Sequence, residues 1–162
     1  MFERLTETAS RALFFARYEA SELGGTAIEA EHILLGLLRS DKGPTPYVLA
    51  VADLSYTDAR AKIWAHLGVR QQVPTTVELP FSDQTRRILE FATEEADRVG
   101  HKYIGAGHLL LAVVRERGSF AAGMLRRHGI TIEDLREHRE TACRPGARAR
   151  GSCGGQRGAG QA

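Results

Sequence analysis

Residues 6–39 read TETASRALFFARYEASELGGTAIEAEHILLGLLR, and residues 82–115 read SDQTRRILEFATEEADRVGHKYIGAGHLLLAVVR. Laid over each other at an offset of 76, the two stretches agree at Arg11 and Arg87, Leu13 and Leu89, Phe15 and Phe91, and Ala16 and Ala92. They agree again at Glu19-Ala20 and Glu95-Ala96, Gly24 and Gly100, Ile28 and Ile104, His32 and His108, and Leu34-Leu35 and Leu110-Leu111. Beyond a one-residue slip in the following loop, Asp58 falls on Asp134 and Arg60 on Arg136. One offset held over so many positions is an internal duplication, and it decides the fold.

Each copy reads as four helices. Ala9, Ala12, Leu13, Ala16, Ala20 and Leu23 recur with the spacing of one buried helical stripe, and Thr85, Ile88, Leu89, Ala92, Ala96 and Val99 repeat it. Thr6 and Ser82 are N-caps by type, because a hydroxyl there accepts from first-turn amides. Gly24 and Gly100 fit the left-handed residue that stops a helix. Apolar runs predict second helices over Ala30–Arg39 and Ala106–Glu116, and third helices over Pro44–Ala52 and Phe120–His128. Ser55-x-x-Asp58 opens a fourth helix running to Leu67, and Thr131–Ala142 is its counterpart. The expected architecture is all-α, with two tandem four-helix repeats packed about a pseudo-twofold axis as one body over residues 1–142. Repeat one covers 1–67, a linker 68–80, and repeat two 81–142. Residues 143–162 hold six glycines and four arginines and almost no large apolar side chain, so a disordered tail is expected.

Charge follows the same division. The chain has 162 residues, with Lys+Arg 22 against Asp+Glu 20, a formal net charge of +2. Four of the arginines (Arg144, Arg148, Arg150, Arg157) lie after Ala142 with no acid beside them, so the helical body carries −2 and the tail +4. A near-neutral body argues against a duplex-binding surface. The longest apolar runs, Ile33–Leu38 and Leu109–Val114, are too short to span a bilayer. The opening Met1-Phe-Glu-Arg-Leu lacks a signal-peptide layout, so the cytoplasm is the expected compartment. Cys143 and Cys153 have no CxxC or His partner at metal spacing.

No phosphate-cradling loop, HExxH or nucleophile elbow occurs, so no catalytic residue, metal or cofactor is expected and the chain does not read as an enzyme. The duplicated His32 and His108 read as structural, each near a helix N-terminus and donating to a neighbouring carbonyl. Trp64, Phe14, Phe15 and Phe91 read as packing residues.

Four stretches carry a family resemblance: Met1-Phe-Glu-Arg-Leu-Thr, Ala27-Ile-Glu-Ala-Glu-His-Ile-Leu-Leu-Gly-Leu-Leu, Leu79-Pro-Phe-Ser, and His101-Lys-Tyr-Ile-Gly-Ala-Gly-His-Leu-Leu-Leu. Over about residues 1–142 the chain resembles the Clp N-terminal domain of ClpC- and ClpA-type AAA+ unfoldases, the ClpC branch most. That resemblance implies a non-catalytic module that docks adaptors and substrates, here without the ATPase rings. Acting alone it would be an adaptor, a decoy or a sequestering protein for a ClpC-type unfoldase, its adaptors or its clients.

The resemblance also implies a phosphoarginine pocket in each repeat, with a glutamate facing the guanidinium. Glu31 matches that glutamate in repeat one, whereas repeat two has Gly107. Glu31 alternatively reads as a first-turn acid favouring the helix dipole, worth about 0.3–1 kcal/mol. Phe2 and Phe81 are placed at corresponding positions before each first helix, where relatives bind cyclic peptides and protein partners; a hydrophobic staple is the other reading. Two further functions remain open. The Arg/Gly tail would contact nucleic acid weakly and with steep salt dependence, or the chain would be the remnant of a truncated unfoldase.

Overall fold

A computed structural model of the chain describes residues 2–40 and 44–142, with the backbone alone for 44–47 and 138–142; the expected disordered tail lies outside the described residues. Eight α-helices follow a short 3-10 turn at Phe2–Arg4: α1 Glu7–Glu22, α2 Ala30–Arg39, α3 Pro44–Val51, α4 Tyr56–Leu67, α5 Asp83–Arg98, α6 Ala106–Arg115, α7 Phe120–Arg127 and α8 Ile132–Ala142. No strand is present among the described residues. Each helix of the second repeat begins 76 residues after its partner (Glu7 and Asp83, Ala30 and Ala106, Pro44 and Phe120, Tyr56 and Ile132). The expected one-residue slip therefore does not occur, because the loops before α3 and α7 have equal length.

The caps form as their residue types require. Thr6 Oγ1 accepts from the Ala9 amide at 3.2 Å, Ser82 Oγ from Thr85 at 3.1 Å, and Ser55 Oγ from Asp58 at 3.2 Å. Gly24 and Gly100 both adopt φ of 70° at the ends of α1 and α5.

The apolar α2 and α6 form the centre. Ile33, Leu34, Leu35 and Leu37 of α2, and Leu109, Leu111, Ala112 and Val113 of α6, are wholly buried. Helix α2 packs on α1, α3, α4, α5, α6 and α7, and α6 on α1, α2, α3, α5, α7 and α8. At Gly36 a Cβ atom would fall into the Ala12 carbonyl, so α1 lies against α2 with backbone touching backbone.

The repeats are joined by reciprocal backbone pairing. Ile104 N–H donates to Arg4 O at 2.7 Å and Thr6 N–H to Ile104 O at 3.0 Å. The mirror pair is Ile28 N–H to Pro80 O at 2.8 Å and Ser82 N–H to Ile28 O at 3.1 Å. The lead-in to each first helix thus bonds to the loop before the other repeat's second helix. Arg4 reinforces one side, donating to the Lys102 and His101 carbonyls at 3.0 and 3.2 Å and pairing with Asp97 at 2.7 Å. Among the described residues, no helix is long and apolar enough to cross a membrane.

Candidate functional site between the repeats

The site is built from the N-terminus of α2. His32, at the third position of the helix, turns its ring back so that Nδ1 accepts the Glu29 amide at 2.9 Å. His108 does the same with Gly105 at 2.8 Å. These histidines are structural as expected, but each accepts a backbone proton instead of donating to a carbonyl. An accepting Nδ1 places the neutral ring's proton on Nε2. The His108 Nε2–H then points to His101 Nδ1, 3.1 Å away. Repeat one has Gly25 at the position of His101, so the wholly buried His32 Nε2 has no partner among the described residues. Burial, and after it the Arg70 charge, lowers the His32 pKa to about 4.

With its first turn so held, α2 directs Glu31 out of its own repeat. The side chain is 5% exposed, and its Oε1 accepts the Phe120 amide at 3.1 Å, at the first residue of α7. No other hydrogen bond or ion pair engages Glu31 among the described residues. A buried carboxylate at a helix N-terminus is favoured by both the free amide and the helix dipole. Ser119 completes the cap, accepting from Ala122 at 3.0 Å.

Around this contact opens a cavity of about 470 Å³, lined by Glu29, Glu31 and His66 from repeat one and by Gln84, Ser119, Phe120 and Arg127 from repeat two. The His66 imidazole lies flat on the Phe120 ring, with centroids 4.0 Å apart and planes 7° from parallel. Glu29 is pushed up from the ordinary glutamate range by burial first and by the Glu31 charge second; Arg70 and His66 act in the opposite direction. Two acids that repel each other accommodate a cation on their side of the cavity, and Arg127 offers a positive charge on the other.

Phe2 and Phe81 do meet, their rings stacked at a centroid distance of 6.0 Å and 19°. They are not symmetry partners, however. The residue matching Phe81 is Leu5, as the paired bridges of Leu5 with Ile104 and Phe81 with Ile28 show. Phe2 sits three residues earlier and is 54% exposed. Nor does Phe81 staple α5, because the helix position that would meet it holds Arg86. Phe14 and Trp64, read as packing residues, are 68% and 38% exposed on outer helix faces.

Sequence reading overlooked a duplicated polar core. Glu19 is buried beneath Arg39 at 3.1 Å, Arg60 at 3.2 Å and the Tyr56 hydroxyl, which donates to it. Its mate Glu95 is buried beneath Arg115 at 3.1 Å, Arg98 at 3.2 Å and Arg136 at 2.6 Å. The guanidinium groups of Arg39 and Arg115 lie over Phe15 and Phe91, 4.6 and 4.2 Å from the ring centroids. The recurrence of Glu, Arg and Arg at one offset was the available signal. Among the described residues, no group of three His, Cys, Asp or Glu side chains is placed to hold a metal ion.

A doubled four-helix body with a polar cavity between its halves defines a helical repeat domain. The family described as the Clp repeat (R) N-terminal domain matches residues 4–117 and 80–161, and the chain belongs to that family. The ATP-dependent Clp protease ATP-binding subunit ClpA homolog of Porphyra purpurea is 38% identical over 136 residues, 84% of this chain and 16% of the relative. The chain thus spans about one sixth of that relative's length. Among solved structures, the N-terminal domain of the chaperone ClpD from Arabidopsis thaliana superposes with a TM-score of 0.69 at 28% identity, covering 87% of this chain and 95% of that one. The fold is shared with a ClpV N-domain solved in complex with a VipB peptide, at a TM-score of 0.66, 24% identity, and 84% of each chain.

Proposed function

We propose that this chain is a non-catalytic protein-binding module of the Clp chaperone and protease system, taking adaptors or client proteins, phosphoarginine-marked ones among them. The observation that carries the reading is the cavity at Glu31. A nearly buried carboxylate and Glu29 suit a guanidinium, while Arg127 on the opposite wall suits an anion. A zwitterionic side chain such as phosphoarginine fills both roles. The solved ClpV N-domain in complex with a VipB peptide supports peptide binding by this fold. Such a module acts on its ligands by mass action, as adaptor, decoy or sequestering protein. Exposed Phe2, stacked on half-buried Phe81, supports a second, apolar contact for partners or cyclic peptides.

Calorimetric titration with phosphoarginine tests the reading. Heat is expected for the native chain and is expected to be lost in Glu31→Ala. Absence of heat, or heat unchanged by Glu31→Ala, rules the pocket out. The nucleic-acid alternative is tested by removing residues 143–162, which leaves body-mediated binding intact if the proposal holds.

A further inference from the structure

We infer that the chain carries one ligand pocket, built between its repeats, and not one in each repeat. The inference rests on the proposed recognition role of the Glu31 cavity. Nearly everything else in the body is present twice: the histidine caps, the buried acid with its arginines, and the reciprocal backbone pairing. Among the described residues, no second cavity repeats this lining about the pseudo-twofold. The walls of the Glu31 cavity come from both repeats, because Glu31 reaches across to the Phe120 amide at the start of α7.

The constant offset of the helix starts assigns the mate of each lining residue. Where the cavity has Glu29 and Glu31, the mate positions are Gly105 and Gly107, so both carboxylates are gone. Where Phe120 offers its amide, the mate is Pro44, which has no N–H to donate. Arg127 is matched by Val51 and the N-cap Ser119 by Gly43, removing the cation and the capping hydroxyl. Gly123, which leaves room in the cavity wall, is matched by Tyr47. These replacements fit together: a glycine in place of the capping glutamate strands no amide, because the proline opposite has none.

The consequence is a monovalent reader. A client carrying two marks gains nothing from chelation on one chain. Two pockets on one module would raise its affinity by a factor on the order of 10²–10⁴.

Titration of the full chain with phosphoarginine is expected to give one ligand per chain, with binding lost in Glu31→Gln. Exposed Arg127→Ala is the second variant, should removal of the buried acid unfold the protein, and it is expected to weaken binding at least ten-fold. A peptide with two phosphoarginines is expected to bind at most about two-fold tighter than its singly marked form, the statistical factor alone. Two ligands per chain, or a gain beyond about ten-fold for the double mark, overturns the single pocket while leaving the recognition role standing. No binding of phosphoarginine in any form overturns that role and this inference with it.

Discussion

Replacing His32 by asparagine is expected to change how the stability of the protein responds to pH. In the folded chain the buried imidazole accepts the Glu29 amide through Nδ1 and titrates near 4, against 6.5 for a free histidine. The folded value lies below the unfolded one, so folding favours the neutral ring. The histidine's contribution is complete above about pH 6.5 and is lost as the pH falls towards 4. The full gap corresponds to about 3 kcal/mol at about 1.4 kcal/mol per pH unit, and about 2 kcal/mol of it is lost between pH 7 and pH 5. Protonation removes the acceptor that caps α2, and α2 directs Glu31 to its cavity, so fold and site are affected together. Urea unfolding followed by circular dichroism between pH 5 and 8 measures the effect. The native chain should lose about 2 kcal/mol more than His32→Asn over that range. NMR titration of the His32 ring in the native chain is an independent check, and should show a neutral ring protonated at Nε2 at pH 5. Parallel stability curves for the two proteins, or a ring that protonates near pH 6.5, would refute the reasoning.

Three other changes probe the frame that holds the site. Glu95→Gln leaves Arg98, Arg115 and Arg136 facing an uncharged partner, and is expected to cost about 3 kcal/mol or more in urea unfolding at pH 7. Burial acts to raise the Glu95 pKa, but hydrogen bonds from Arg136 and Arg98 outweigh it and lower the value. That acid accordingly contributes stability above the ordinary glutamate range and loses it on acidification through the lowered value. Gly129→Ala should cost about 1 kcal/mol although nothing lies within 4 Å of the added methyl, since φ is 76° there. Arg4→Ala removes the ties to Asp97 and to the His101 and Lys102 carbonyls, and is expected to speed hydrogen exchange at the Ile104 amide more than at Ile28.

The helices were legible because their signals are local. A stripe of alanines and leucines, a threonine three positions before the amide it caps, and a glycine at a left-handed stop each involve residues within a turn or two. Glu31 could be singled out by its match to a family motif. Its true neighbours could not, because Phe120 lies 89 positions away and His66 and Arg127 carry no pattern of their own. The arginines over Glu19 and Glu95 escaped for a related reason, since an Arg 20 or 41 positions from a Glu is one surface charge among many until packing buries the acid.

By itself, then, the sequence determined the duplication, the eight helices with the N-caps of α1, α4 and α5, and the absence of a carboxylate at one of two equivalent places. Periodicity, caps and proline act through the residue's own backbone, so they can be read without coordinates. Only the tertiary structure decided which repeat each residue serves. Two like copies offer like surfaces, and a linear pattern cannot say whether Ile28 bonds within its own repeat or to Pro80 and Ser82 of the other. Exchange across the pseudo-twofold, set by the close packing of α2 on α6, turns the acid of one repeat into the wall of a cavity completed by the other.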